Sequence, residues 1–235
     1  MGEKLKLPLR HSPEGGYARG EETRKRILDA ALSVFAEKGY DAASTRLIAT
    51  RAGVNPPALQ YYFENKEGVF NSCTMMLSEQ NMQFLQPVLD KLQEAVQSRV
   101  DDDKCTGLLC DLLETMLKRV YTMDNSHDTH LFIAHIHLQQ GPAKALRILR
   151  DNFEIPLYDA IGLVVAKLSR LPAASEEVRL RVLSVLGLLN IFFTMRPAVL
   201  AQMNWDDISP SGLSALIKVT RRHCRVLAQS WITET

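Results

Sequence analysis

No long apolar run, no excess of one charge and no paired cysteines mark this 235-residue sequence. The longest strongly apolar stretch, Val182 to Met195, is closed by Arg181 and Arg196. It falls short of the roughly 18 residues a membrane-spanning helix needs, so it reads as a buried helix and no membrane partner is expected. Lys and Arg number 28 against 27 Asp and Glu, so net charge does not announce a partner for polyanions; any such role must come from local placement. Cys73, Cys105, Cys110 and Cys224 contain no Cys-x-x-Cys pair, which speaks against structural zinc and thioredoxin-like chemistry. Reduced thiols in a cytosol fit this spacing better than a disulfide framework. The opening Met-Gly-Glu-Lys-Leu-Lys lacks the apolar core of a secretory signal, and a cytoplasmic location is expected. Phosphate-binding loops, Gly-x-Gly-x-x-Gly, Gly-x-Ser-x-Gly and telling pairs of carboxylates are all missing, so an enzyme is not expected. His127 and His130 share a helical face, but neither His-Glu-x-x-His nor Glu-x-x-His occurs; no metal and no cofactor are expected.

Apolar residues at 46% and charged residues at 23% are ordinary for a globular chain. Residues 1–18, with Pro8, Pro13, Gly15 and Gly16 and little periodicity, read as a mobile arm. Beyond them the period is helical almost everywhere. Ile27, Ala31, Val34 and Phe35 share a face, and Gly39 stands where a helix end wants a left-handed residue, predicting a first helix over 20–38. Further helices are predicted near 67–98, 104–122, 127–138, 142–169, 175–201 and 210–231, with Pro87 kinking or splitting the first of these. No alternating strand or hairpin signal appears; the class is all-α.

Between the first helix and residue 66 lie two short helices. Ser44 is a suitable N-cap for one that ends at Gly53. Asn55-Pro56-Pro57 then caps and opens the next, which runs to Phe63. Asn65 can cap a fourth helix starting near Lys66. Ile48, Ala49, Ala52, Val54, Leu59 and Phe63 form the apolar seam of this pair, which reads as a helix-turn-helix. The second helix of such a unit fits a major groove about 12 Å wide.

Residues 20–70 closely resemble the N-terminal domain of TetR-family transcriptional regulators. The resemblance is carried by Ile27-Leu28-Asp29-Ala30-Ala31, Phe35-Ala36-Glu37-Lys38-Gly39-Tyr40, Ser44-Thr45-Arg46, Ala52-Gly53-Val54, Tyr61-Tyr62-Phe63 and Lys66-Glu67. It implies an N-terminal three-helix DNA-binding domain over 19–66 and a helical effector-binding and dimerisation domain over 67–235. It also implies a sequence-specific regulator, a repressor released from a pseudo-palindromic double-stranded operator by a small molecule. By position, Ser44, Thr45 and Arg46 would meet phosphates or bases, Pro57, Ala58, Gln60, Tyr61 and Tyr62 would face the groove, and Lys66 would grip a phosphate. Many relatives carry Lys, Gly, Thr and Tyr around Pro56-Pro57-Ala58-Leu59-Gln60. With so few reading side chains left, Gln60 is the best candidate because it can pair bidentately with adenine. Arg19, Arg24, Lys25, Arg26, Arg46 and Arg51 supply local positive charge.

Helix 175–201 is apolar around nearly its whole circumference, and such a helix must be buried all round. A second subunit is one way to bury it. The expectation is a homodimer in which this helix and the last one pair with their symmetry mates through Leu186, Leu189, Phe193, Leu216, Thr220 and Leu227. The segment Phe132–Ala143, with Ile155-Pro156-Leu157 and Trp205-Asp206-Asp207-Ile208, resembles the CecR-like C-terminal subclass of the same family, but Ala134-His135 stands where relatives tend to have Arg-Glu. A pocket for a small apolar or amphipathic effector is expected among helices 104–169. Met116, Val120, Phe132 and His135 are candidate lining residues, with Ile136, Phe153 and Tyr158.

Overall fold

In the computed structural model, residues 13–98, 100–122 and 126–234 are described. Among them every regular element is helical. Helix α1 spans Pro13–Ala42, α2 Thr45–Ala52, α3 Pro56–Phe63 and α4 Lys66–Gln97. Helices α5 (Asp102–Thr122), α6 (Ser126–His137), α7 (Ala143–Leu149) and α8 (Ile155–Ser169) follow, then α9 (Glu176–Thr194), α10 (Arg196–Met203) and α11 (Pro210–Thr233).

The helix boundaries follow local chemistry. Ser44, Asn55 and Asn65 each accept a hydrogen bond from the backbone N–H three residues on (3.2, 2.9 and 2.8 Å). Gly53 closes α2 in the left-handed region (φ 65°) and Gly39 breaks α1 at φ 72°. Residues 13–18, expected as part of an arm, are instead the first turns of α1, with Pro13 in the first-turn position that tolerates its missing N–H. The rest of that expected arm, residues 1–12, lies outside the described residues.

Prolines redraw two other expectations and narrow a third, that Pro87 kinks or splits its helix. Pro87 does not split α4. It and Gln83, whose carbonyl loses a partner, lie on the exposed side, where water can serve the carbonyl. The helix expected over 142–169 widens into a π-type turn at Arg150–Glu154, because Pro156 cannot donate to Asn152 and its ring crowds that turn. The helix expected over 175–201 breaks at Met195 (φ −120°), and α10 leaves α9 at 80° with Pro197 in its first turn. No single described helix is long and apolar enough to cross a membrane.

Two apolar cores share α4. One gathers Ile27, Phe35, Ile48, Leu59 and Phe63 around Val69 and Phe70 of α4, and it also takes in Phe132 and Ile136 of α6 and Leu149 of α7. The other packs the second half of α4 against α5, α8, α9 and α11. The expected boundary at 66/67 therefore falls inside one packed unit: the N-terminal core is not closed until α6 and α7 dock on it.

Candidate nucleic-acid interface

The seam Ile48, Ala49, Ala52, Leu59 and Phe63 is buried, with Val54 half-buried beside it. That fixes which side of α3 faces outward. Pro57, Gln60 and Tyr61 are exposed, Tyr61 to 84%. Its ring stands edge-on to Tyr62 at 5.2 Å, which limits the orientations it can take. Ala58 and Tyr62 are half-buried, and Tyr62 packs partly into the N-terminal core. Ser44 and Arg46 are exposed at the start of α2, with Thr45 half-buried.

The structure sorts the cations. Arg26 Nη2 donates to the carbonyls of Ala52 and Gly53 (3.0 and 3.3 Å), bracing the helix-turn-helix turn. Arg51 donates to Glu37 (2.8 Å) and Ser33 (3.2 Å), tying α2 to α1. The hydrogen bonds from Lys38 and Arg51 hold the Glu37 carboxyl down at a pKa of about 2. Lys66, expected to grip a phosphate, is held within the chain. Its Nζ donates to the carbonyls of Tyr40 (2.9 Å), Ala43 (3.2 Å) and Asp41 (3.3 Å) and lies 4.3 Å from the Tyr40 ring centre. All three ammonium donors are thus engaged in clamping the end of α1. Arg24 lies against the Phe63 ring at 5.6 Å, and Lys25 and Arg46 are exposed. These last three remain for a polyanion.

Behind this surface lies a cavity of about 370 Å³, walled by α4, α5, α6, α8 and α9 and the π-type turn. Met116, Val120, Phe153 and Tyr158 line it, where the sequence placed them. Phe132, His135 and Ile136 do not. Helix α6 turns its Thr129, His130, Ile133 and His137 side to the cavity, which points the other three at the DNA-binding domain. Phe132 is fully buried against Phe70 (4.5 Å between ring centres) and Phe35 (6.1 Å). His135 bonds Gln140 Oε1 at 2.7 Å and the Ala36 carbonyl at 3.4 Å. The misplacement is one of helical phase: those residues are apolar or amphipathic enough for either side. The sequence also passed over Asn81, Arg119, Thr129, Asn190 and Glu154 in the wall. They are polar residues at unremarkable helical spacing, and no local signal could have found them.

The expected subunit-contact residues divide between buried and half-buried positions. Leu189, Leu216 and Thr220 are buried within the protomer. Leu186 and Phe193 line the cavity, and Leu227 packs on the core of its own chain. The apolar residues left in water on these two helices are others: Leu180 (57% exposed), Leu183, Ile191, Val219 and Val226 (63%). Among the described residues, no cluster of three His, Cys, Asp or Glu side chains could hold a metal ion.

Known proteins share this arrangement. Residues 27–73 match the family profile described as bacterial regulatory proteins, tetR family, and residues 106–230 match the C-terminal domain of the HTH-type transcriptional dual regulator CecR. The chain is 24% identical to the CecR regulator of Shigella flexneri over 212 residues, 90% of this chain and 93% of that protein. It is 38% identical to the HTH-type transcriptional regulator AcrR of Shigella flexneri over 141 residues, 60% of this chain and 61% of that one. Among solved structures, the FadR regulator of Bacillus subtilis in complex with stearoyl-CoA superposes with a TM-score of 0.58 at 17% identity, covering 87% of this chain and 97% of that one. NalD of Pseudomonas aeruginosa, the secondary repressor of the MexAB-OprM multidrug efflux pump, gives 0.54 at 22%, covering 86% and 96%. The outward face of α3, the cores that α4 joins and the two profile matches agree: this chain belongs to the TetR family, with a C-terminal domain of the CecR type, and is a DNA-binding transcriptional regulator.

Proposed function

We propose that two copies of this chain hold one pseudo-palindromic operator as a repressor and release it when a small apolar or amphipathic molecule enters the cavity. The observation that carries this reading is the two-sidedness of α6. One side is part of the cavity wall and the other, through Phe132 and Ile136, is part of the core beneath α1 and α4. A ligand that shifts α6 must therefore repack the DNA-binding domain. Packed cores move between discrete arrangements, so a small shift at the wall changes the spacing of two α3 helices. The ligand's differential affinity for the two arrangements sets the size of the response.

Dimerisation is supported by the apolar residues on α9 and α11 that the described residues leave exposed. A two-fold axis there presents two α3 helices to half-sites about one helical turn apart, or slightly more. Base reading falls to Gln60 and Tyr61, backbone contacts to Ser44, Thr45 and Arg46, and Pro57 shapes the tip of α3.

The test is selection of binding sites from random duplexes by the full-length protein, with sedimentation of the complexes. Recovered sites should contain an inverted repeat and carry two chains. A single half-site bound by one chain overturns the reading. A reporter driven from the selected site should rise when the regulator is removed; a fall would make it an activator.

A further inference from the structure

Arg119 is half-buried in the cavity wall and is poorly provided for. Its Nε reaches Asn81 Oδ1 only at 3.5 Å, and its guanidinium lies over the Phe84 ring at 4.9 Å. Among the described residues, no carboxylate pairs with it. Burial alone acts on its charge and lowers its pKa. Arg221, also half-buried, shows the ordinary solution: Asp111 and Glu114 hold it at 2.6 and 2.7 Å. A guanidinium that loses water without gaining a counter-charge is an expense a fold rarely tolerates without use.

A second, independent observation comes from Thr129. Its Oγ1 is buried, the residue is 3% exposed, and it has no hydrogen-bond partner among the described residues. It lies in the same wall. Buried hydroxyls are nearly always paired, so this one, closed to solvent and without a partner, can take a ligand atom once the wall yields around it. The cavity's carboxylate, Glu154, is already engaged by His137 Nε2 at 2.7 Å. Apart from Asn190 and Thr194, most of the remaining wall is apolar and aromatic: Leu85, Leu157, Leu186, Phe153 and the stacked pair His130–Phe193 (5.7 Å between ring centres).

Resting on the reading of this cavity as the effector site, we infer that it takes small monocarboxylates with an apolar body. The carboxylate accepts from the Arg119 guanidinium, whose planar fork suits it, and from the Thr129 hydroxyl. The body lies between the aromatic and aliphatic walls. No bond is made or broken.

The experiment is calorimetric titration of the full-length protein with two matched pairs, octanoate with octanamide and naphthylacetate with naphthylacetamide. Each pair differs only in the charged head. In each pair that binds, the acid should bind at least about tenfold more tightly, the worth of one charge-assisted hydrogen bond. Arg119→Met should bring the acid to the affinity of its amide, Arg119→Lys should keep most of the preference, and Thr129→Val should reduce it. Circular dichroism on each variant separates lost binding from lost folding. Equal binding of acid and amide, or a preference that survives Arg119→Met, overturns the inference and leaves the cavity as an effector site. If none of the four compounds binds, this inference falls, while the effector reading, which is not confined to carboxylates, is judged by ligand release of the selected operator.

Discussion

The link between cavity and DNA-binding domain rests on Phe132, and its removal can be worked through. Phe132 is 0% exposed and meets Phe70 and Phe35 at 4.5 and 6.1 Å. Phe132→Ala deletes a buried ring and leaves a hole that only partly closes, which costs about 3–5 kcal/mol. In a chain of this size each kcal/mol lowers Tm by about 2–4 °C, so the melt should fall by about 6–20 °C. Val120→Ala is the control. Val120 already faces open space in the cavity, so truncation removes few contacts and should cost about 1 kcal/mol. Thermal melts followed by circular dichroism measure both. Equilibrium titration of a selected operator should then show weaker binding for Phe132→Ala, since α6 no longer closes the core under α1, and near-unchanged binding for Val120→Ala. If Phe132→Ala costs under about 1 kcal/mol, or no more than Val120→Ala, α6 is not anchored as described and the coupling argument goes with it.

Four further outcomes follow from single residues. Lys66→Met should lose about 2 kcal/mol of stability, the worth of a charged group's hydrogen bonds to carbonyls, and leave the salt dependence of DNA binding unchanged; a flatter salt dependence with an unchanged melt would restore the phosphate role. Gln60→Ala should relax base preference at one position per half-site while total affinity changes modestly; an unchanged preference in site selection removes Gln60 from base reading. Leu180→Arg and Val226→Arg should each raise the dimer dissociation constant at least about tenfold with far-ultraviolet circular dichroism intact, and wild-type sedimentation would move the interface elsewhere. Tyr121 donates its hydroxyl to the Phe192 carbonyl at 2.8 Å, and burial pushes its pKa from 10 to about 12. Its folded pKa is the raised one, so its contribution is complete below pH 10 and fades as pH rises towards 12. Tyr121→Phe should lack that part of the alkaline loss of stability; an identical alkaline limb assigns it to another group.

Local chemistry alone determined much of this protein. Ser44, Asn55 and Asn65 set the starts of three helices because a short side-chain oxygen reaches an orphan N–H three residues on. Gly53 set an end because a left-handed residue costs glycine nothing. Spacing over residues 48–63 placed Ile48, Ala52, Leu59 and Phe63 in one seam and thereby exposed Gln60 and Tyr61. Rotational phase was decided only by the assembled tertiary structure. Helix α9 is apolar nearly all round, so its own residues cannot say that Leu189 turns inward and Leu180 outward; α5, α8 and α11 decide that by what they pack against it. The same holds for α6, where Phe132 and Ile133 are equally apolar, yet Phe132 is buried wholly in the core under α1 while Ile133 borders that core and also lines the cavity. The fate of each cation was likewise long-range. Lys66 and Arg26 read as free charges until folding brings carbonyls 23 to 27 residues away in sequence within hydrogen-bond reach, and those donors are then engaged within the protomer.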